Sequence, residues 1–478
     1  MGAHDRVPAS AATSDIVAGV IARARAAQRR FAQYDQAQVD EVVTAAGWAI
    51  VEPARNRALA ERAVHDTGLG NVADKVAKNR RKTIGLLRDL AAARSVGIIE
   101  QDPARGLIEI ARPVGVVAAI TPSTNPGATP ANNILNALKG RNAIVLAPSP
   151  KGRSTLDLLL EFVHAELARV GAPRALVQAL PPLRDRALTF ELMRQADLVV
   201  ATGSQKNVRA AYESGTPAIG VGAGNVVVIV DETADVGAAA DLIARSKTFD
   251  NATSCSSENS VVALDANRAA LVEAFGARGG VLLDAREAAT LTRAMFADGH
   301  LASGFIAQDA PTIAARAGLT RAALRRARFL IVEETGVGPA HPMSGEKLSP
   351  VLALYAVADF TAAAALAARI LDYQGAGHSV GLHTTRGERA TELGLTLPVC
   401  RVIVNQAHCF ATGGSFDNAL PFSLSMGCGT WGRNSISDNV NYRHFLNITR
   451  VVHPLAPERV REPGEDELFG AYRRKHGI

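Results

Sequence analysis

The chain has 478 residues, of which 47% are hydrophobic and 21% are charged, a composition typical of a folded globular protein with two or three domains. Its 52 basic and 46 acidic residues are interleaved, so the net charge of +6 comes without the basic block that a nucleic-acid partner would require. The 4 cysteines are widely and irregularly spaced, which offers neither a disulfide framework nor a paired zinc motif, and we expect no bound metal.

Nothing in the sequence predicts export or a membrane partner. The stretch from Met1 to Val20 lacks the charged-then-apolar layout of a signal sequence. No window reaches the roughly 18–20 apolar residues that are needed to span a bilayer. We therefore expect a cytoplasmic protein whose thiols are reduced.

The predicted elements follow one another in a regular order. Residues 15–95 are predicted to form Ala-rich helices, and residues 96–113 a β-hairpin. Between residues 114 and 230, short Val, Ile and Ala runs alternate with helix-length segments, which predicts βαβ units and a mainly parallel sheet. A second α/β alternation covers about residues 239–428. The tail, residues 441–454, contains one more strand, which needs a sheet edge such as that of the hairpin, in this chain or in a neighbouring subunit.

One cysteine lies in an unusual setting. The stretch FDNATSCSSENS places Cys255 among small polar residues, although a cysteine kept for packing usually lies within an apolar run. Taken alone, this setting fits a reactive thiol and an inert loop cysteine about equally well.

Two glycine-containing segments are candidate anion-binding sites. GVGAGN, residues 220–225, lacks the following helix and the third glycine of the dinucleotide fingerprint, since the strand VVVIV comes next. We interpret it as a crossing at which backbones approach closely. ATGSQKN is the better candidate, because Ser204 can cap a helix whose free amides favour a pyrophosphate; a plain capped helix is the alternative.

Three polar residues adjoin predicted strands. Asn125 in ITPSTNPGATP follows a strand and is held by prolines, so its amide can donate to an oxyanion or form an ordinary Asx turn. Glu346 precedes the strand of EKLSPVLALY, where an isolated carboxylate is more often a solvated loop charge. His378 in GAGHSVGLHT is, without context, more often a structural histidine than a base.

Taken in order, these segments and GCGTWGRNS near the C-terminus resemble the aldehyde dehydrogenase superfamily, and specifically its CoA-acylating branch, over about residues 112–447. The resemblance implies an oxidoreductase in which a cysteine attacks an aldehyde, hydride passes to NADP or NAD, and the acyl group of the resulting enzyme thioester is transferred to coenzyme A. The implied fold is α/β, with a Rossmann-type cofactor domain, an α/β catalytic domain and a small β oligomerisation element.

The resemblance also implies domain limits. Residues 1–238 would hold the helices, the hairpin and the dinucleotide-binding domain, and residues 239–428 the catalytic domain with its cysteine. Residues 429–478 would form a C-terminal return with an oligomerisation strand. We expect a homo-oligomer, either a dimer or a tetramer.

The family pattern assigns roles to individual residues. Cys255 would be the nucleophile, and Asn125 would form the oxyanion hole with the backbone amide of Cys255. His378 resembles a histidine of this branch and is a candidate active-site residue. Glu346 would hold the nicotinamide ribose, while Gly203 and Ser204 would meet the pyrophosphate. The full set of cofactor-binding candidates is Thr121, Pro122, Ser123, Lys151, Arg153, Gly203, Ser204, Gly222 and Glu346.

One departure from the superfamily pattern is informative. Hydrolytic aldehyde dehydrogenases place a glutamate in an ELGGK-like segment, where it activates the water that cleaves the thioester. Here Gly220 stands at that position. A thiol ionises far more easily than water, so the resemblance favours transfer to coenzyme A.

Cofactor choice is predicted from the end of the strand NAIVLA. An acidic residue there would bind the adenosine ribose and exclude a 2′-phosphate, whereas a basic residue accommodates the phosphate. Lys151 and Arg153 follow this strand and no carboxylate does. We therefore expect NADP to be at least as good a cofactor as NAD.

The substrate prediction rests on a narrower resemblance. FDNATSCSSENS, HCFATGGSFDNA and the arginine of GTWGRNS are most similar to the acylating sulfoacetaldehyde dehydrogenases, which implies that His408 and Arg433 bind a sulfonate beside the thiol. Alternatively, Arg433 lies on the surface and the pocket takes acetaldehyde. A hydrolytic aldehyde dehydrogenase is disfavoured by Gly220, and a Cys/His hydrolase would leave the TGS and EKLSPVL segments unexplained.

Overall fold

The computed structural model describes residues 10–182, 186–297 and 299–478, so the first nine residues of the N-terminal stretch lie outside the described residues. The chain begins with four long helices, α1 (Ala11–Phe31), α2 (Gln36–Val51), α3 (Pro53–Thr67) and α4 (Val72–Ala91). Their starts follow from capping, since Ser10, Asp35 and Asn71 each accept a backbone N–H from the first turn. The helical prediction for this region is confirmed.

A three-stranded antiparallel sheet joins two distant parts of the chain. The hairpin forms β1 (Gly97–Asp102) and β2 (Leu107–Pro113), and the tail adds β15 (Leu446–Val452) in the order β1-β2-β15. Arg450 of β15 pairs with Glu109 of β2 in register and also forms an ion pair with it at 2.9 Å. The terminal strand thus completes the hairpin of its own chain. The last helix, α16 (Glu465–His476), follows this sheet.

A five-stranded parallel sheet occupies the middle of the N-terminal half. Its strands run in the order β5-β4-β3-β6-β7, with helices between them, as the βαβ pattern predicts. Every residue of β3 and β6 is buried, because helices cover both faces. The elements are β3 (Val116–Thr121), α5 (Ala128–Lys139), β4 (Ala143–Pro148), α6 (Arg153–Arg169), β5 (Val177–Ala179), α7 (Arg186–Gln195), β6 (Leu198–Ala201), α8 (Gln205–Glu213) and β7 (Ala218–Gly220).

A seven-stranded parallel sheet forms the second α/β unit, in the order β10-β11-β12-β9-β8-β13-β14. Its strands are β8 (Val226–Val230), β9 (Glu258–Leu264), β10 (Gly280–Leu282), β11 (Phe329–Glu333), β12 (Val351–Val357), β13 (Val380–His383) and β14 (Val402–Val404). Its helices are α9 (Val236–Thr248), α10 (Asp265–Gly276), α11 (Ala285–Met295), α12 (Ala310–Arg316), α13 (Phe360–Tyr373), α14 (Gly387–Thr396) and α15 (His408–Ala411). The second α/β alternation is therefore confirmed.

One strand lies in a different sheet from the one expected. The sequence pattern predicts that the run VVVIV belongs to the first sheet, but β8 pairs with β9 and β13 in the second. A short apolar run identifies a buried parallel strand without showing which sheet it joins, since both sheets have similar strands. The change of sheet falls between Gly220 and Val226, ahead of the expected limit at residue 238. The division into functional domains stays a prediction.

One hydrophobic core packs the N-terminal helices against the five-stranded sheet, and two more clusters cover the faces of the seven-stranded sheet. Phe445, just before β15, is fully buried in the first of these cores. Its carbonyl also accepts a hydrogen bond from Asn142 Nδ2 at 2.9 Å. None of the helices in the described ranges combines the length and the apolarity that a membrane crossing requires.

Phe445 anchors the C-terminal segment, so its truncation should weaken the whole N-terminal unit. We expect Phe445→Ala to remove about 3–5 kcal/mol of stability, because a buried ring is replaced by a cavity. Thermal unfolding followed by circular dichroism measures the change. Phe190→Ala is the control, since that ring is 44% exposed. Equal midpoints for the two variants would contradict the anchoring role.

Candidate active site

The loop that carries Cys255 has an unusual backbone. It leads from α9 to β9, and Asp250, Asn251 and Ala252 have φ values of +49°, +50° and +58°. The left-handed region costs residues with a side chain roughly 1–2 kcal/mol each. Three such residues in succession persist only where the surroundings determine the conformation.

Two buried lysines of α4 hold the loop in this conformation by binding Asp250. Asp250 Oδ2 accepts hydrogen bonds from Lys78 Nζ at 2.6 Å and from Lys75 Nζ at 3.0 Å, while Oδ1 accepts the backbone N–H of Asn71 at 3.0 Å. Burial opposes ionisation of Asp250, but the two ammonium groups outweigh it and hold the pKa of this carboxyl below its usual value. The cysteine loop is thereby fixed to α4 by a buried charge cluster.

The same lysine orients Asn125. Lys78 Nζ donates to Asn125 Oδ1 at 2.8 Å and to Thr253 Oγ1 at 2.9 Å. With its oxygen engaged, the amide must direct Nδ2 elsewhere, and Nδ2 has no hydrogen-bond partner within the described ranges. The predicted oxyanion donor and the cysteine loop thus contact one ammonium group, and an N–H₂ group remains available to a ligand.

The thiol of Cys255 rests in its protonated form. Burial raises its pKa to about 12, and the Glu346 carboxylate and the nearby Cys428 add to this shift. The nucleophile therefore needs to lose its proton as it attacks.

Glu346 lies close enough to Cys255 for its charge to raise the pKa of the thiol. Burial raises the pKa of this carboxyl to about 8, against the opposing charges of Lys247 and Lys347. Its Oε1 is buried and has no hydrogen-bond partner among the described residues. A buried carboxyl oxygen without a partner fits the hydroxyl donors of a nicotinamide ribose.

Glycines allow three segments to meet beside the thiol. A Cβ atom on Gly224 would collide with the carbonyl of Cys255, and one on Gly377 with the carbonyl of Cys428. A Cβ atom on Gly222 would lie 2.8 Å from Cys428 Sγ. The interpretation of residues 220–225 as a close backbone crossing is confirmed. The expected contact between Gly222 and the cofactor stays a prediction.

Gly220 leaves no room for a side chain. A Cβ atom there would lie 2.5 Å from Val208 Cγ1 and 2.8 Å from Tyr212 Cε2. The Tyr212 hydroxyl accepts the backbone N–H of Gly220 at 2.9 Å and that of Ser435 at 3.0 Å. A glutamate at position 220 would therefore meet Val208 and Tyr212 at its first side-chain atom, and Tyr212 links Gly220 to Ser435 in the C-terminal loop.

Most of the expected cofactor residues share one edge of the five-stranded sheet. Thr121 ends β3, pairs with Pro148 of β4 and lies one residue beyond the Ile120–Ala201 pair with β6. Thr121 is followed by Pro122 and Ser123, and a Cβ atom on Gly203 would lie 3.7 Å from Pro122 Cβ. The Oγ1 atom of Thr121 is buried without a partner among the described residues. These positions fit a dinucleotide at the carboxyl ends of the strands.

The capping and basic residues at this edge have distinct partners. Ser204 accepts the backbone N–H of Asn207 and caps α8, as predicted. Lys151 is exposed and has no ion-pair partner in the described part of the chain. Arg153 is engaged with Asp157 and with the carbonyl of Leu180. Of the two predicted phosphate contacts, only Lys151 has a free charge.

His378 and His408 are joined through Ser379 in one buried hydrogen-bonded network. Ser379 Oγ lies 2.7 Å from His378 Nδ1 and 2.8 Å from His408 Nε2. Burial lowers the pKa of His378 to about 3 and that of His408 well below its usual value, so both are neutral. His408 thus contacts a neighbouring side chain, whereas Arg433 is exposed, with a φ of +56°. Their contact with a substrate stays a prediction.

Sequence reasoning missed the lysines and the aspartate that hold the site. Lys75, Lys78 and Lys82 share one face of α4 at spacings of three and four residues, and all are buried. The sequence predicts this segment only as part of the Ala-rich helical region of residues 15–95. The available signal was that Lys82 lacks an acidic residue three or four positions away to pair with.

The chain is similar to known proteins over nearly its whole length. The model of the aldehyde dehydrogenase family matches residues 6–281. The chain is 62% identical over 465 residues to "Sulfoacetaldehyde dehydrogenase (acylating)" of Cupriavidus necator, which covers 97% of this chain and 94% of that protein. It is 40% identical over 461 residues to the protein of the same name from Bilophila wadsworthia, with 95% and 98% covered.

A solved structure extends the comparison to the fold. An acetylating aldehyde dehydrogenase from Geobacillus thermoglucosidasius superimposes with a TM-score of 0.89 at 35% identity, covering 95% of this chain and 98% of that one. The expected α/β architecture and its family are confirmed. The chain belongs to the aldehyde dehydrogenase family.

Proposed function

We propose that this chain is an acylating aldehyde dehydrogenase that oxidises sulfoacetaldehyde with NAD(P) and transfers the product to coenzyme A as sulfoacetyl-CoA. The 62% identity to the acylating sulfoacetaldehyde dehydrogenase supports the substrate. Gly220 supports coenzyme A as the acyl acceptor in place of water, because glycine has no side chain that could activate water and its surroundings leave little space for one.

The reaction divides among residues of this chain. The sulfur of Cys255 bonds to the aldehyde carbon as its proton passes to water, and Asn125 Nδ2 donates to the carbonyl oxygen that becomes negative. Glu346 and the edge of the five-stranded sheet would hold NAD(P), which would supply the hydride acceptor for that carbon. The acyl group on Cys255 then passes to the sulfur of coenzyme A. Its bond to the Cys255 sulfur breaks, and the proton of the coenzyme A thiol returns to Cys255.

A homo-oligomer in the cytoplasm belongs to the same proposal. The sheet and helix at the C-terminus leave apolar side chains exposed, with Val452 at 72%, Leu468 at 58% and Tyr472 at 57%. A second copy of the chain would cover such a surface. The free cysteines fit a reducing compartment.

The function is tested by following reduction of the cofactor with each aldehyde and coenzyme A. We expect kcat/KM for sulfoacetaldehyde to exceed that for acetaldehyde by roughly a hundredfold, because each 1.4 kcal/mol from a paired anion is tenfold. Cys255→Ala is the control and should abolish turnover while cofactor binding remains. Equal rates for the two aldehydes would contradict the assignment of sulfoacetaldehyde as the substrate. Turnover without coenzyme A would contradict the assignment of coenzyme A as the acyl acceptor.

Orientation of Asn125 by Lys78 is tested with a double-mutant cycle. Asn125→Ala should lower kcat by on the order of a hundredfold, as loss of an oxyanion donor does. Lys78→Met should lower it at least tenfold, and the double variant should be no slower than Asn125→Ala alone.

Lys75→Met is the matched control for this cycle, because Lys75 also binds Asp250 but donates to the carbonyl of Thr124 and not to the side chain of Asn125. It should leave kcat closer to the wild-type value than Lys78→Met does. Effects of Lys78→Met and Asn125→Ala that multiply in the double variant would show that Lys78 acts independently of Asn125 and would contradict the orienting role.

Cofactor preference is tested at Lys151, whose free charge would meet a 2′-phosphate. Lys151→Ala should lower kcat/KM for NADP about tenfold and leave that for NAD within twofold. Arg153→Ala should change both cofactors alike, since Arg153 is engaged with Asp157. A wild-type enzyme that strongly prefers NAD would contradict the role of Lys151.

A further inference from the structure

A cavity with two arginines lies outside the residues assigned so far. It has a volume of about 290 Å³ and opens between α4, α9 and the segment after β14. We call it the arginine pocket, and its lining includes Arg81, Arg245, Gln406, Phe410, Ser415 and Asp417.

Both guanidinium groups are held by the same aromatic ring. Arg245 lies 4.7 Å and Arg81 lies 5.5 Å from the centre of the Phe410 ring. Arg81 also stacks at 5.4 Å on Phe416 and donates to Ser415 Oγ. Rings that hold a guanidinium in place leave its N–H groups free for a planar or tetrahedral anion.

The pocket carries an uncompensated positive charge. Arg81 Nε is buried without a hydrogen-bond partner, and Arg245 has no hydrogen-bond or ion-pair partner in the described part of the chain. Burial lowers the pKa of Arg81; Asp417 opposes this shift, and the charge of Arg245 adds to it. Asp417 neutralises one of the two cations, so a monoanion would balance the other.

The pocket adjoins the catalytic loop. Arg81 lies one helical turn after Lys78, a rise of about 4.5 Å along α4. Arg245 lies on the last turn of α9, immediately before that loop. The Phe410 ring lies 4.6 Å from the ring of Phe249, the first residue of the loop. The pocket therefore borders the start of the loop that carries Cys255, through the contact between these two rings.

We propose that the arginine pocket binds the anionic group of the aldehyde, a sulfonate, as the substrate approaches Cys255. This inference rests on the proposed function for the identity of the anion. It places substrate selection on Arg81 and Arg245, in addition to the sequence-predicted Arg433. An uncharged aldehyde of similar size would gain nothing from the pocket.

The kinetic test uses Arg81→Met and Arg245→Met, which keep the apolar stem and remove the charge. Each should lower kcat/KM for sulfoacetaldehyde at least tenfold, mainly through KM, and leave that for acetaldehyde within threefold. Arg88→Met is the matched control, because Arg88 stacks on Phe416 at 5.2 Å but does not line the pocket. Equal losses for both aldehydes, or loss of discrimination in Arg433→Met alone, would overturn the proposal.

A binding test separates this proposal from the proposed function. Calorimetric titration with ethanesulfonate, which has no aldehyde, should show binding to the wild-type enzyme that weakens at least tenfold in Arg81→Met and Arg245→Met. If the wild-type enzyme uses both aldehydes equally but this binding is found, the proposed substrate fails and the anion site stands. Unchanged binding in the variants, or dissociation of the oligomer in its place, would overturn the anion site.

Discussion

The site depends on one buried ionic contact, between Asp250 on the cysteine loop and the two lysines of α4. Removing charges from water is unfavourable, so such a cluster persists only when each charge has several partners. Lys78 has three, and one of them is the amide of Asn125. The helical N-terminal region therefore determines the position of a nucleophile that lies 177 residues after Lys78 in the sequence. A substitution at Lys75 or Lys78 would therefore alter the position of the Cys255 thiol without a direct contact between them.

The high pKa of Cys255 complements this arrangement. A thiol that stays protonated at rest is a poor target for oxidants, since the thiolate is the reactive form. Glu346 contributes to that protonation and is also the group expected to hold the ribose. Binding of a cofactor at Glu346 would thus alter the charge that Cys255 experiences. The carboxyl group of Glu346 thus links the protonated resting form of Cys255 to the binding of the cofactor.

The sequence was informative where a local pattern has one physical meaning. Alternating apolar runs and helical segments predicted the two parallel sheets, and the setting of Cys255 singled out the loop. The assignment of VVVIV failed because sheet membership is decided by long-range pairing. The roles of Lys75, Lys78 and Asp250 could not be seen, since a lysine in a helix is usually solvated and only the folded chain shows what it contacts.

The pairing of β15 with β2 has a consequence for synthesis of the protein. Arg450 meets Glu109 across 341 positions of sequence. At about 5–20 residues per second, a ribosome needs on the order of 20–70 s to make the intervening chain. During that interval the edge of β2 is complete but unpaired, and an unpaired edge is open to association with other chains. The nascent protein therefore passes through a period in which a chaperone, or the charged residues of β2 itself, must keep that edge apart from its neighbours.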